Sequence, residues 1–401
     1  MLIELPTHSG QSTIPQTQKL LSTIQKHKAE IHDILLAYES QETIADELFK
    51  SIDCLEGIHS ELGYIHSVTV DQIASLLPVN LPLYSLILFG LIPSLMAKKT
   101  YVRPPRAMQK AIKDLYSLLD IEHLFPNLEL LENIERDTFR TEIAEKSNVV
   151  IFTGSQRNAL KIYESLPKKC LFIYNGAGIN PLVVFKNASI ALAVEKTVHV
   201  KIFNSGQDCA GPDTILVHET VYETFHELLV KQLKALKISS HYTDGARIGP
   251  MIETSYLPEL SKLLLKDEKF ITYGGSIDYG HRIVHPTIIT KSLDQGSNYS
   301  EIFAPLFYIS TFNETTLPSY FNNDLYRNNA MYVSVFGSSD LEKHITHSVI
   351  LRDTDVIEQE RGNAAYGGYG LYSSYVCHYG HKEVRPILIS QEIAQAFAPT
   401  V

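Results

Sequence analysis

The residues best suited to chemistry lie in Phe203-Asn204-Ser205-Gly206-Gln207-Asp208-Cys209-Ala210-Gly211-Pro212. A single cysteine in a turn of small and polar residues, between a helix and a strand, is a candidate nucleophile, because only an accessible thiol can become an attacking thiolate. The competing reading is a buried structural cysteine, since free Cys is among the most buried residue types. His281 and His285 stand four apart, as a helical metal pair would, but Pro286-Thr287 and Ile288-Ile289 read as strand. In a strand that spacing separates the rings by about 13 Å, which excludes a shared ion. Tyr366, Tyr369, Tyr372, Tyr375 and Tyr379 read as loop packing rather than as a stacking platform. No P-loop, GxGxxG, HExxH or Ser-His-Asp signature is present.

The elements that must position Cys209 follow from periodicity. Leu20, Leu21, Ile24, Ile31 and Leu35, then Ile44, Leu48, Ile52 and Leu55, recur at helical spacing, so the chain opens with two amphipathic helices. Pro78 and Pro82 in Leu77-Pro78-Val79-Asn80-Leu81-Pro82 forbid a regular helix or central strand there. A helix over Leu83–Met96 comes next, then a strand at Thr100–Arg103 and a helix over 107–119. Asn148–Phe152 and Cys170–Tyr174 are further strand runs, the second ending in a glycine-containing turn, Asn175–Gly178. A helix over Ala191–Phe203, a strand at Thr214–His218 and a long amphipathic helix bearing Val221, Phe225, Leu229, Leu233 and Leu236 follow. Strand signals close the series at Phe270–Tyr273, Thr287–Thr290, Leu306–Phe312 and Met331–Phe336. Helices alternating with short apolar strands indicate a parallel α/β sheet.

Composition bounds the class. At 401 residues and roughly 150 per domain, the chain has two to three domains' worth of sequence. Hydrophobic residues at 44% and charged residues at 20% exclude disordered and low-complexity classes. A net charge of −10 argues against broad binding to nucleic acid or to an anionic membrane. The most apolar run, Leu83–Met96, is interrupted by Pro93 and is shorter than the roughly 20 residues of a membrane span. Four scattered cysteines without a CxxC pair indicate neither a disulfide framework nor a zinc ribbon, and Met1–Gln16 lacks the features of a secretory signal. A cytoplasmic protein is the expectation.

The Cys209 segment resembles the active-site signature of the aldehyde dehydrogenase superfamily, with Asn204-Ser205-Gly206-Gln207 before the cysteine and Pro212 three residues after it. Further family-like motifs occur in the family's order: Pro78–Pro82, Phe152–Ser155, Asn180–Phe185, Gly249–Ile252, His285–Thr287, Glu301–Pro305 and Tyr366–Gly368. The resemblance implies that Cys209 attacks a carbonyl carbon to form a thiohemiacetal or thioacyl intermediate. It implies that Asn80, with the backbone N–H of Cys209, holds the developing oxyanion, a role for which one donor is typically worth about 3 kcal/mol. Gly154 and Ser155, at a helix N-terminus, fit contact with a dinucleotide pyrophosphate. Glu301 and Phe303 match the pair that positions the nicotinamide ribose.

Departures from the family pattern sharpen the reading. Asn175 stands where most of the family has the glutamate that activates water, and an amide cannot take a proton at neutral pH. A similar Asn occurs in the coenzyme-A-acylating members, so the resemblance implies thioester chemistry with a thiol resolving the intermediate, or the reverse reduction. Arg103 replaces the usual Lys. Arg106 stands where NAD-using members often have Glu, and a cation there suits a 2′-phosphate, which implies NADP in preference to NAD. Tyr366 falls where the family's Phe-Gly-Gly begins.

The expected fold class is α/β, with a Rossmann-like cofactor domain (1–60 and 78–178), an α/β catalytic domain (179–370) and a reduced β oligomerisation arm (61–77 and 371–401). The implied partners are an aldehyde or an acyl thioester of coenzyme A or of carrier-protein pantetheine, together with a second copy in a homodimer. Nucleic acid, a membrane span and a metal are not expected. Two rival readings stand beside thioester chemistry: an ordinary aldehyde dehydrogenase with a different base, and a degenerate member retained for binding or scaffolding. Loss of the glutamate, Ala304 in place of Gly and a short N-terminal region favour the last; Cys209, Asn80, Glu301 and Phe303 together oppose it.

Overall fold

Short apolar runs flanked by helices fold here into two seven-stranded sheets. The structure, a computed structural model, describes residues 14–399. The part of the cofactor-domain and leader readings that falls on residues 1–13, and the last two residues of the arm, lie outside the described residues.

The first sheet contains β1 (Val70–Leu76), β2 (Ala97–Arg103), β3 (Leu128–Leu130), β4 (Val149–Gly154) and β5 (Leu171–Gly176), all parallel. The second contains β6 (Leu182–Val184), β7 (Ile215–His218) and β8 (Ile271–Tyr273). A two-stranded hairpin, β9 (Ile277–Asp278) with β10 (Ile283–Val284), precedes its remaining members β11 (Thr287–Ser292), β12 (Leu306–Phe312), β13 (Tyr332–Phe336) and β14 (Val349–Arg352). Only β8 runs antiparallel to its neighbour in that sheet. Finally β15 (Ser374–His378) and β16 (His381–Val384) return to the first sheet as an antiparallel hairpin on its edge, giving the order β16-β15-β5-β4-β1-β2-β3. The central strands are buried along nearly their whole length, as expected of parallel strands covered on both faces.

In the first sheet the chain moves outward from β1 through β2 to β3 on one side and through β4 to β5 on the other. The switch point therefore lies between β1 and β4, and a crevice opens beyond their carboxyl ends. The loops leaving those two strands carry Asn80 and Ser155.

The placement of 61–77 corrects the expected arm. Those residues form a short helix, Leu62–Ile65, followed directly by β1, which pairs with β2 and β4 in the interior of the sheet. Its unbroken burial from Ile73 to Leu76 leaves no surface for a partner. The other expected arm segment, from 371 onward, supplies β15, β16 and the helix Ile389–Phe397, which pack on the first sheet of the same chain. Asn175 and Gly176 also belong to β5 rather than to a free turn, because Asn175 pairs with Ser374.

Helices α1 (Pro15–Lys26), α2 (Lys28–Leu35) and α3 (Gln41–Glu56) share one core with β1, β2 and the helical segment that follows Asn80. That segment runs from Pro82 to Ser94 and contains a π-turn at Ile87–Leu91, just before Pro93. The wider turn suits Pro93, which lacks the N–H that a regular α-helix needs.

Candidate active site

The helix Ile190–Ile202 delivers the chain to Cys209 through a backbone that few sequences tolerate. Asn204, Ser205 and Gly206 take successive positive φ values of 46°, 55° and 77°. At Gly206 a Cβ would lie 2.2 Å from the backbone carbon of Ala304, so only glycine fits. The polar side chains of this turn hold the loop. Ser205 Oγ accepts from Gly249 N–H at 3.0 Å and lies 2.7 Å from the Tyr242 hydroxyl. Gln207 Oε1 accepts from Ile252 N–H at 2.8 Å, and Asp208 Oδ1 from Ala210 N–H at 2.8 Å. The result leaves Cys209 partly exposed while Cys54, Cys170 and Cys377 are buried.

Cys209 lies where two cavities meet. The wider, about 640 Å³, extends over the carboxyl ends of β1 and β4 and is lined by Arg103, Arg106, Gly154, Ser155, Glu301 and Phe303. The narrower, about 70 Å³, is bounded by Leu88, Phe89, Tyr84, Tyr366 and the C-terminal residues Ile387–Ile389. Asn80, Pro78 and Thr153 line both, together with Cys209, and Asn175 lines the narrow one. All the site residues expected from sequence thus converge on one pair of cavities.

The Asn80 loop is clamped from the N-terminal helices. Glu47 Oε1 accepts from the N–H groups of Leu83 (2.7 Å) and Tyr84 (3.0 Å), and Glu39 Oε1 from that of Leu81 (3.2 Å). Both carboxyls are fully buried, and Leu81 is held in the left-handed region at φ 50°. Burial raises both groups, Glu47 to about 7, and the neighbouring Glu47 charge adds to the rise at Glu39. These carboxyls satisfy the first N–H groups of the following helix, the usual work of an N-cap side chain.

The wide cavity matches a dinucleotide. Gly154, at φ 143°, brings β4 into the helix Gln156–Tyr163, and Ser155 makes no side-chain cap, which leaves the first-turn N–H groups open to an anion. Arg103, Arg106 and Arg136 give the wall positive charge. Arg103 is half-buried and donates from Nε to the Ile134 carbonyl at 3.1 Å, whereas Arg106 is exposed and ion-paired with Glu135. Burial, then Arg136, lowers the Arg103 guanidinium from its ordinary value.

Buried charge ties the Glu301–Phe303 segment to the Cys209 loop. Lys201 Nζ donates to the Ile302 carbonyl at 2.7 Å, and Asp213 Oδ1 accepts from the Ile302 N–H at 2.6 Å. Both backbone polar groups of Ile302, between Glu301 and Phe303, are therefore held. Asp213 Oδ2 accepts from Asn180 N–H at 3.2 Å, and Asn180 Nδ2 donates to the Cys209 carbonyl at 2.9 Å. Burial lowers Lys201 to about 8 and raises Asp213 to about 7, Glu301 to about 8 and Asp208 to about 6.

At the reacting end, burial and then the Asp208 charge push the Cys209 thiol well above its ordinary range. The Sγ atom lies 3.3 Å from the Tyr366 hydroxyl. Asn175, whose place the family resemblance gives to a carboxylate, is buried and lines the narrow cavity with its Oδ1 unpartnered. The acids that do line that cavity are Asp208 and Glu360, and Lys50 pairs with Glu360 at 3.1 Å.

Sequence reasoning missed Glu39, Glu47, Lys201, Asp213 and Asn180 as site-building residues. The available signal was charge at core-facing helical positions: Glu47, Lys50 and Ser51 share the buried face of α3 with Ile44 and Cys54. His281 bonds Asp278 on the surface, and no metal-binding cluster exists among the described residues. No described helix is long and apolar enough to cross a membrane.

A sequence model of the aldehyde dehydrogenase family matches residues 21–339. The lactaldehyde dehydrogenase of Methanocaldococcus jannaschii is 27% identical over 240 residues, 56% of this chain and 49% of that protein. The 4,4'-diaponeurosporen-aldehyde dehydrogenase of Staphylococcus aureus is 26% identical over 66% of this chain and 57% of its own length. The chain thus spans about half to three-fifths of the length of these relatives. A glyceraldehyde-3-phosphate dehydrogenase from M. jannaschii, solved with NADP, superimposes with a TM-score of 0.77 at 18% identity, over 95% of this chain and 86% of that one. At that identity the likeness is one of fold.

Proposed function

The chain belongs to the aldehyde dehydrogenase family, and we propose that it is an NAD(P)-dependent oxidoreductase working on an aldehyde and acyl-thioester pair through Cys209. The observation that carries the thioester half is Asn175, unpartnered beside the nucleophile at the position of the family's water-activating glutamate. Without a carboxylate there, water is a poor acceptor for the acyl group, and a thiol that is already nucleophilic is a better one.

In this reading the Cys209 thiolate adds to the carbonyl carbon, forming the C–S bond, and the charge that appears on oxygen is met by Asn80 and the Cys209 N–H. When bound, the dinucleotide supplies the hydride acceptor in oxidation and the donor in reduction. Arg103, Gly154, Ser155, Glu301 and Phe303, which line the wide cavity, would hold it there, and the Arg106 cation would favour the 2′-phosphate of NADP. An incoming thiol, of coenzyme A or of carrier-protein pantetheine, then displaces the Cys209 sulfur and leaves as the thioester. A cytoplasmic setting fits that reading. The homodimer implied by the resemblance has no support from 61–77, whose strand lies inside the sheet.

A second reading has its own observation. Asp208 and Glu360 line the same narrow cavity, so hydrolysis with a displaced base gives ordinary aldehyde oxidation. One experiment separates the two. The protein is incubated with NADPH or NADH and a panel of acyl thioesters, nicotinamide absorbance is followed, and the assay is repeated with Cys209→Ala. Cys209-dependent reduction is expected; carboxylate formation from aldehydes at ordinary rates without any thiol acceptor would sink the thioester reading.

A further inference from the structure

The nucleophile sits among acids. Asp208 on its own loop, Glu301 before β12 and Glu360 after the helix Val356–Gln359 each oppose a negative sulfur, and the phenols of Tyr174, Tyr256 and Tyr332 also sense its charge. The nearby ammonium of Lys50 is already held by Asp46 (3.2 Å) and Glu360 (3.1 Å). One neutral donor reaches the sulfur: the Tyr366 hydroxyl, 3.3 Å from Cys209 Sγ.

We propose that Tyr366 is a catalytic residue whose hydroxyl donates to Cys209 Sγ and favours the attacking thiolate. The proposal rests on the reading of Cys209 as the nucleophile. Among the described residues the phenol has no other hydrogen-bond partner than that sulfur. Against a thiol either group donates, but a thiolate only accepts, and a hydrogen bond to an ion is roughly twice as strong as a neutral one. The bond therefore gains strength when the thiol ionises, which draws the equilibrium toward the thiolate. The thiol proton passes to water in the cavity, Tyr366 keeps its own, and only the S–H bond breaks. Burial, reinforced by Cys209, pushes the phenol far above its ordinary range.

The ring is built into place. Tyr366 N–H donates to the Ile387 carbonyl at 3.0 Å, Ile387 N–H returns to the Tyr366 carbonyl at 2.8 Å, and Gly367 N–H donates to the Tyr332 hydroxyl at 2.9 Å. The Tyr332 and Tyr366 rings lie 5.5 Å apart. The family resemblance places phenylalanine here, which fills the same space without a hydroxyl.

The test is the pH profile of Cys209 alkylation by iodoacetamide in the full chain, with Cys209→Ala as the background for the other thiols. Tyr366→Phe is expected to move the midpoint up by about one pH unit, the size of a hydrogen bond to a charged group, while leaving the high-pH plateau rate in place. A plateau that persists shows an intact, reachable site. Should that variant not fold, Tyr366→Leu removes the same donor and is read the same way. An unmoved or lowered midpoint overturns the role of Tyr366. If instead Cys209→Ala retains nicotinamide turnover, the nucleophile reading itself fails, and the two failures are distinguished.

Discussion

The side-chain amide of Asn180 donates to the carbonyl oxygen of Cys209 over 2.9 Å, while its Oδ1 accepts from Tyr332 N–H at 3.1 Å. One buried amide thus ties the Cys209 loop to β13. Asn180→Ala strands both partners, so a loss of about 1–3 kcal/mol in unfolding free energy is expected. Urea denaturation measures it. A midpoint equal to that of the unaltered protein would mean that the loop holds itself.

Asn175→Glu returns a carboxylate to the narrow cavity. Because Asn175 Oδ1 makes no hydrogen bond, the exchange breaks none at that atom. Carboxylate release from an aldehyde in the absence of a thiol acceptor is expected to rise by about 10²–10⁴-fold, the usual contribution of a positioned base. No rise would show that the acyl group is already resolved by another base, with Glu360 and Asp208 as the candidates.

Arg106 is exposed and already engaged by Glu135. If its cation recognises a 2′-phosphate, Glu135 competes with that phosphate. Glu135→Gln should then strengthen NADPH binding relative to NADH, and Arg106→Ala should weaken it, both read by fluorescence titration at low salt, where exposed charges are least screened. Equal responses of the two cofactors to both substitutions would remove Arg106 from cofactor selection.

The buried acids make stability depend on pH in a defined direction. Glu47, Asp213 and Glu301 titrate at about 7, 7 and 8 in the folded chain, against ordinary values of 4.5, 3.8 and 4.5. Between those limits the folded state binds more protons than the unfolded one, so unfolding free energy falls as pH rises toward about 8. Lys201, lowered from 10.5 to about 8, acts oppositely above that point, because there the unfolded state holds the extra proton. The urea midpoint should therefore be higher at about pH 5.5 than at about pH 8, and a rising midpoint over that window would contradict the assignment.

The strands β2, β4, β5, β7, β12 and β13 and the Cys209 loop were legible in the sequence because each carries its own signal. Leu306–Phe312 opens on the apolar run Leu306–Ile309 and forms β12 over the same residues. Cys209, Asn80 and Glu301 were legible through short ordered motifs. What was not legible depends on partners far apart in the chain. Glu47 reads as one more charge on an amphipathic helix until Leu83 and Tyr84, 36 and 37 positions later, turn their N–H groups toward it. Likewise nothing local in Val70–Leu76 distinguishes an interior strand from an arm. That distinction comes from β2 and β4 pairing on its two sides.

The junction of the two cavities at Cys209 gives the sulfur two doors. A thiol that arrives through the wide one takes the room of the dinucleotide and must wait for its departure. A thiol that arrives through the narrow one meets Leu88, Phe89 and Ile387–Ile389 and leaves the dinucleotide where it is. The route taken therefore dictates kinetics: the first makes the oxidised and reduced cofactors competitors of the thiol, and the second lets the thiol bind beside whichever cofactor is present.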